Sequence, residues 1–447
     1  MMRIFHRNYT RTQIIAIGFF LIIIAGSLLL MLPISTRSGE SVGFIDSLFT
    51  ATSATCVTGL VVVDTSTNWS IFGQIVILLL IQVGGLGFIT IGILFAMFFR
   101  RKIGLNEREL IQESVSANKL AGVVKLVRSI IFGTLIFEGV GALLLCIRFV
   151  PRFGIAKGIY FSVFHSVSAF CNAGFDIMGF IEPYTSFTTM YDDVLVNFTI
   201  MALIIIGGLG FVVWQDVAKH KWHYKKYNLH TKLVLVTTTV LVFGGALLFY
   251  LFEADGLFKG MSVKGTICSS LFSSVTARTA GFNTVDTASL SGASGLLTVF
   301  LMFIGGSPGS TAGGIKTTTF AVMLIYIWNS VRGNRSCNIF GRRIGDDVVQ
   351  KAAMVFCINL VLALTAALAI CGMQKLPITD VVFEVFSAIG TVGMSTGVTR
   401  DLSNISRLII ILLMYCGRIG SLSFALAFTE KRKQVRLTMP EEKINVG

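Results

Sequence analysis

The phrases SATCVTGL (53–60), SAFCNAGF (168–175), VTARTAGF (275–282) and SAIGTVGM (387–394) are four versions of one motif. Aligned on Gly59, Gly174, Gly281 and Gly393, they lie 115, 107 and 112 residues apart. Each follows a short apolar segment, near 44–54, 160–169, 266–276 and 378–388. About 10 residues of helix cannot cross a hydrocarbon core of ~30 Å, but they suit a re-entrant pore helix. Each phrase precedes a segment long enough to span, near 69–99, 192–214, 294–328 and 403–428. Another such segment opens each unit, near 13–33, 122–150, 230–252 and 351–371. A non-helical loop at membrane depth survives only when it is buried in protein or lines a wet cavity. The pattern therefore predicts an all-α polytopic membrane protein of four helix–pore-helix–helix repeats around a central ion pathway, with eight transmembrane helices and four re-entrant pore helices.

Composition agrees. The 447 residues are 54% hydrophobic and 13% charged, against about 25% charged in an ordinary soluble domain. No polar stretch is long enough for a catalytic or nucleotide-binding domain of ordinary size. The expected divisions are an N-terminal segment (1–12), repeat 1 (13–99), repeat 2 (100–214), repeat 3 (215–328), repeat 4 (329–428) and a C-terminal tail (429–447). The first apolar run follows Arg3, Arg7 and Arg11. It is too long for the h-region of a signal peptide, and no small-residue cleavage site stands out after it. The eight cysteines lie mostly in apolar segments without a CxxC pair, so neither a disulfide framework nor a zinc site is expected. His220 and His223 read as part of a basic loop rather than a shared metal site.

Positive residues sort by side. The N-terminus, the loops near 100–128, 215–232 and 329–351, and the C-terminal tail hold 25 of the 37 lysines and arginines. The opposite loops hold nine, and Arg278, Lys316 and Arg418 lie in or beside apolar segments. The positive-inside rule makes the first side, with both termini, cytoplasmic. All four repeats then share one orientation and can surround an axis along the membrane normal, unlike the inverted repeats of many carriers. This sorting accounts for the net charge of +14 without nucleic acid. The other face carries Asp46, Asp64, Asp176, Glu182, Asp286 and Asp380 among its acids. They either concentrate cations at a mouth or merely solvate loops.

Glycine permits the backbone angles needed to aim successive carbonyls at an ion. The preceding residues, Thr58, Ala173, Ala280 and Val392, differ in chemistry, which points to a site made of main chain. Asp46 and Asp380 stand thirteen residues before Gly59 and Gly393, where N-capping and the helix dipole favour acids at the start of a pore helix.

The second long segments carry GGLGF (84–88 and 207–211), GGSPGS (305–310) and GRIGS (417–421). In the first two, glycine is expected to let helices pack closely. The stretch GGSPGSTAGGIKTTT (305–319) holds five glycines and Pro308 and cannot continue as helix. It is the candidate gate, with Gly305, Gly306, Ser310, Thr311, Gly313, Gly314 and Lys316 in it and Arg418 beside it. An intramembrane cation is a functional suspect by default, although Lys316 has the alternative of reaching the inner surface. Gly309, Gly314, Lys316 and Thr317 nearly spell a phosphate-binding loop, but the spacing is one residue too long and no soluble strand precedes it. Arg278, three residues before Gly281, is expected to pair with Glu384 or Asp286. Glu138 has a local hydrogen bond or an ionic role, and His165 reads as a packed, hydrogen-bonded histidine. Selectivity and gating fall in separate elements, so removing 310–314 is expected to raise flux without changing ion preference.

At these residues the chain resembles the Trk/Ktr/HKT superfamily of potassium transporters, and within it the membrane subunit of bacterial Ktr systems. The phrases TCVTGL (55–60), FCNAGF (170–175), RTAGFN (278–283) and GTVGM (390–394) resemble the family's four filters. STAGGIKTTTF (310–320) resembles its intramembrane gating loop and GRIG (417–420) its last-helix arginine motif. The resemblance covers nearly the whole chain. It implies a homodimer in a bacterial plasma membrane that takes up potassium, gated by the loop and controlled by a cytosolic ring of nucleotide-binding regulatory subunits. It also implies potassium coordination by carbonyls of Val57, Thr58, Gly59, Asn172, Ala173, Gly174, Thr279, Ala280, Gly281, Thr391, Val392 and Gly393. Some plant members carry serine at the first filter glycine and favour sodium, so Gly59 points to potassium; Cys56 departs from the threonine expected beside it. No cofactor beyond the transported ion is implied, and symport with sodium is left open. The competing readings are a secondary transporter for another monovalent cation and an intramembrane enzyme, for which no paired nucleophile and base is evident.

Overall fold

Among the described residues, four unbroken helices are both long and apolar enough to cross a membrane: Thr12–Leu30, Val123–Phe153, Leu229–Glu253 and Asp346–Met373. One opens each repeat. Their outward faces carry large apolar side chains such as Leu21, Leu143, Phe243 and Leu368, all well exposed, as lipid-facing surfaces require. The computed structural model describes residues 10–98, 104–114, 122–334 and 336–420. Most of the N-terminal segment and the whole C-terminal tail lie outside the described residues.

Four short helices follow: Phe44–Thr55, Ile155–Phe170, Val263–Thr276 and Ile378–Gly390. Each stops where a residue turns left-handed, at Val57, Asn172, Thr279 and Thr391. These pore helices are almost wholly buried at their C-terminal halves and more exposed at their starts. The expected capping role of the two acids needs correction. The first pore helix is capped by Gly43 and the fourth by Pro377, neither with a side-chain bond. Asp46 and Asp380 stand instead in the first turn, where they still complement the helix dipole. Asp46 is also held by Arg407, whose Nη1 donates to Oδ1 at 2.6 Å. That pair joins the first pore helix to the last helix of repeat 4, Asn404–Ile419.

The second long segments are not straight. Ile71–Leu86 and Phe88–Phe98 meet at a bend of 96°, and Val194–Gly208 and Phe211–His220 at one of 97°. The hinge residues Gly87 and Gly210 have φ of 80° and 94°, which a β-carbon would strain. The GGLGF motifs therefore break their helices as well as pack them. Packing is still part of their role: a β-carbon on Gly84 would strike the Thr55 carbonyl, and one on Gly207 the Phe170 carbonyl. Gly417 presses on the Ile389 carbonyl in the same way, so one glycine of each of these three segments sits against the end of its own pore helix. In repeat 3 the helix Gly292–Phe303 gives way to an irregular loop and resumes as Thr317–Val331. Asn404–Ile419 ends at Gly420, φ 97°, and the rest of the 403–428 segment lies outside the described residues. A two-residue hairpin, Asn338–Ile339 with Arg342–Arg343, precedes the last long helix.

The Asp46–Arg407 pair is three-quarters buried or more. Arg407→Gln is expected to lower the stability of the detergent-solubilised protein by roughly 1–3 kcal/mol, read as a fall in Tm. Asp46→Asn added to it should cost little more; full additivity of the two losses would show that the pair does not act as a unit.

Candidate functional site

The four glycine loops share one backbone conformation. Two residues before each glycine is a left-handed residue: Val57 (φ 57°), Asn172 (58°), Thr279 (72°) and Thr391 (51°). The glycines are left-handed again, with φ of 98°, 69°, 77° and 90°. The residues between them, Thr58, Ala173, Ala280 and Val392, have negative φ. Alternation of hand along a short strand turns successive peptide carbonyls to the same side.

The loops also close on one another. A β-carbon on Gly59 would meet the Ala173 carbonyl and the Gly174 Cα. One on Gly174 would meet Ala280 and Gly281, one on Gly281 would meet Val392 and Gly393, and one on Gly393 would meet Thr58 and Gly59. The order returns to its start, so the four loops form a ring with no room for a side chain at any glycine.

Their amides point back toward the pore helices. Thr58, Ala173 and Val392 N–H donate to the carbonyls of Ser53, Ser168 and Ser387, each at 2.8 Å. Gly59 and Gly393 N–H donate to the hydroxyls of Ser53 and Ser387, each at 3.1 Å. Ser168 donates its own hydroxyl to the Phe175 carbonyl at 2.7 Å. Among the described residues no hydrogen-bond donor reaches the carbonyls of Val57, Thr58, Ala173, Ala280 or Val392. Buried carbonyls are normally paired, so a ring of unpaired ones is a site built for an external partner. The sequence pattern does not mark these serines as functional, yet each stands six residues before its glycine. Repeat 3 has Val275 there; Thr276 replaces the serine, accepting from Ala280 N–H at 3.0 Å and donating to the Phe282 carbonyl at 2.7 Å.

All four glycines open onto one cavity of about 540 Å³. Asp64, Asp176, Glu182 and Asp286 line it, with Arg400 as the cation. Arg400 lies over the Tyr184 ring at 4.4 Å. Asp64 is fixed by Ser66, Thr67 and Tyr184 N–H. Burial, and next the Asp64 carboxylate, push Asp176 up to about 7.

On the other side of the ring lies the irregular loop between Phe303 and Thr317. Ser307 and Thr311 N–H donate to the carbonyls of Gly208 and Gly207, at 2.9 and 3.3 Å, and Gly314 N–H to that of Gly417 at 3.2 Å. A β-carbon on Gly313 would strike the Thr391 side chain, and one on Gly314 the backbone of Gly390. Gly305 packs on the Gly313 carbonyl and Gly306 on Ala312. Arg418 binds the Thr311 carbonyl through Nη1 and those of Gly84 and Gly85 through Nη2. It thereby ties the loop of repeat 3 to the helix break of repeat 1. Lys316 does not reach away; its Nζ donates to the Ala312 carbonyl at 2.7 Å. Lys316, Arg418 and Ser310 line a second cavity of about 190 Å³ with Gly85, Gly87 and Gly309. The ring and the loop thus stand in series between two cavities.

Other expectations fare differently. Arg278 does not pair with Glu384 or Asp286: its buried Nε has no hydrogen-bond partner among the described residues. Glu384 is taken by the Ser395 and Thr399 hydroxyls, and Asp286 caps Ala288 N–H at 3.1 Å. Glu138 accepts from Gln82 Nε2 at 3.3 Å, a local bond behind the second loop. His165 is fully buried, with Nδ1 2.7 Å from the Phe161 carbonyl and Nε2 accepting from Ile177 N–H at 3.3 Å. Cys56 is fully buried in apolar packing shared with repeat 4. His220 bonds Asp216 at 3.0 Å, and the described residues hold no group of three or more metal-ligating side chains.

The whole chain is similar to known cation transport proteins. The family described as "TrkH: Cation transport protein" matches residues 3–437. The potassium/sodium uptake protein NtpJ of Enterococcus hirae is 42% identical over 451 residues, covering 99% of this chain and 98% of that protein. The Ktr system potassium uptake protein B of Bacillus subtilis is 41% identical over 442 residues, covering 98% and 97%. The crystal structure of the potassium transporter TrkH from Vibrio parahaemolyticus aligns with a TM-score of 0.74 at 17% identity, over 95% of this chain and 86% of that one. That last likeness is one of fold.

Ser53→Ala and Ser387→Ala remove the hydroxyls that receive Gly59 and Gly393 N–H. Each is expected to cost about 1–3 kcal/mol, the penalty of an unpaired buried amide. Thermal unfolding of the purified protein checks this, and an unchanged Tm in both variants would contradict the hydrogen-bond assignment.

Proposed function

The chain belongs to the TrkH family of cation transport proteins, and on that premise we propose that it takes up potassium through the ring of loop carbonyls. It is a transporter, not an enzyme. The observation that carries the ion reading is the set of buried, donor-free carbonyls at the foot of an acid-lined cavity. A dehydrating cation supplies the partner those oxygens lack. Val57, Thr58, Gly59, Asn172, Ala173, Gly174, Thr279, Ala280, Gly281, Thr391, Val392 and Gly393 form the filter. The C-terminal ends of the four pore helices stand behind it and add partial negative charge. Potassium appears in the names of both relatives, and sodium, named for the Enterococcus hirae protein, is the competing ion.

In this reading the acid-lined cavity is the outer mouth and both termini are cytoplasmic, as the distribution of lysine and arginine requires. The loop 305–319 closes the path below the filter. Gly305, Gly306, Gly313 and Gly314 give it its close fit, Arg418 clamps it, Ser310 and Lys316 line the second cavity, and Thr311 meets Asn172. The chain works in a bacterial plasma membrane as a homodimer among lipids, with a separate cytosolic regulatory subunit that binds nucleotide. The Ktr system name of the Bacillus subtilis relative supports such a subunit. No cofactor is needed besides the ion.

Expression in a potassium-uptake-deficient host should restore growth at low potassium; failure of a correctly inserted protein to do so would refute the function. Gly59→Ser places a β-carbon against the Ala173 carbonyl at a backbone angle side chains rarely adopt. It should reduce the preference for potassium over sodium by roughly tenfold, a change of about 1.4 kcal/mol. An unchanged uptake ratio would remove Gly59 from the filter. The Asp176 carboxyl, raised to about 7, is charged above that pH and neutral below it. Apparent potassium affinity should therefore fall as external pH drops from about 8 to about 6, and Asp176→Asn should abolish the dependence. A variant that keeps the full pH profile would exclude Asp176 as its source.

A further inference from the structure

Hydrogen bonds cross between the two elements that the sequence keeps apart. The Asn172 carboxamide lies between filter and loop. Its Nδ2 donates to Thr279 Oγ1 of the next filter loop at 3.2 Å. Its Oδ1 accepts from Thr311 Oγ1 of the intramembrane loop at 3.0 Å. Both ends of the chain continue. Thr279 passes its own proton to the Arg278 carbonyl at 2.6 Å. The Thr311 carbonyl is held by the Arg418 guanidinium. Asn172, Thr279 and Thr311 are all buried at 1% exposure or less. The equivalent left-handed positions in the other repeats carry Val57, Thr279 and Thr391, so only repeat 2 presents a carboxamide there. A second contact runs in parallel, since Gly313 abuts the Thr391 side chain.

We propose that Asn172 determines specificity through its side chain as well as its carbonyl. It latches two filter loops to the intramembrane loop, so that displacing the loop also loosens the filter. The inference rests on the filter and gate reading above. Its physical basis is the cost of leaving buried polar groups unpaired. When Thr311 moves away, the Asn172 oxygen loses its donor. A left-handed non-glycine residue persists only while its surroundings hold it. The filter residue most exposed to that loss is therefore Asn172, which the loop holds by a hydrogen bond, whereas Thr391 meets the loop only by packing. Open and closed loops then present different carbonyl rings, and ion preference depends on the state of the gate. This revises the expectation that loop removal would change flux alone.

The test is uptake of potassium and of sodium by proteoliposomes carrying the full chain. Thr311→Val keeps the shape and removes the hydroxyl. It should raise flux and lower the potassium-to-sodium ratio by about threefold to tenfold, the effect of losing the one hydroxyl proton that Asn172 Oδ1 and the Phe170 carbonyl share. Thr311→Ser should restore the ratio. Asn172→Gly adopts the left-handed backbone at little steric cost and removes the side chain with its bonds to both Thr279 and Thr311. It should lower the ratio by at least the same factor, with no further loss when Thr311→Val is added. The potassium-induced rise in Tm of the solubilised protein reports filter binding without flux and should shrink in step. Should Thr311→Val fail to purify as folded protein, Asn172→Gly is read in the same way. Altered flux at an unchanged ratio and an unchanged potassium-induced Tm shift would overturn the latch and leave filter and gate standing. A wild-type ratio in Gly59→Ser would instead remove the filter reading itself.

Discussion

Backbone that is neither helix nor sheet has no place in a bilayer unless something satisfies its polar groups. That constraint organises this protein. Each of the four loops places amides on serine or threonine groups at the end of its own pore helix, and Gly59 and Gly393 reach serine hydroxyls directly. With the donors engaged behind, the carbonyls stay unpaired in front. The alternation of left-handed and ordinary residues follows from the same division, and so does glycine at the closest approach, where a β-carbon would enter the neighbouring loop. A ring whose unpaired groups are main-chain carbonyls needs no particular side chain at the residue before each glycine, where threonine, alanine and valine stand.

Fourfold repetition does not make the repeats equivalent. The first two fold their second segments sharply at Gly87 and Gly210. The third spreads the same break into the irregular loop between Phe303 and Thr317, and the fourth contributes Arg418. This one guanidinium binds carbonyls of repeats 1 and 3, groups that the breaks set free. Among the described residues Arg418 has carbonyl partners and no carboxylate ion pair, and burying a cation that way is costly. Carbonyl dipoles from two repeats offset part of that cost, and they also make the loop position depend on its neighbours. The same logic applies to Lys316, which folds back on the loop that carries it.

The four short helices, the long helices that open each repeat and the irregular stretch near 305–319 are legible in segment length and in glycine and proline content. Other features are not. Asp46 stands at a favourable helix start, but its partner Arg407 is 361 residues away, beyond any local pattern. Arg278 invites a search for an acid, yet Glu384 and Asp286 are used by nearby hydroxyls and an amide. The GGLGF motifs signal both close packing and a bend, and sequence cannot separate the two because glycine serves both. The serines six residues before three of the glycines are visible as letters. Their role stays hidden there because a hydroxyl acquires meaning only once the amide it receives is placed.

The sequence alone determines the repeat, its period, the depth at which each piece lies and the side on which positive charge collects. These depend on local composition and on the thickness of a bilayer. Tertiary structure decides which carbonyls are left without donors, which glycine faces which loop, and that Asn172 bonds both Thr279 and Thr311. Those outcomes require four segments more than 100 residues apart to meet on one axis. Which contacts they make is set by packing in the ring, where each loop occupies the space its neighbour leaves.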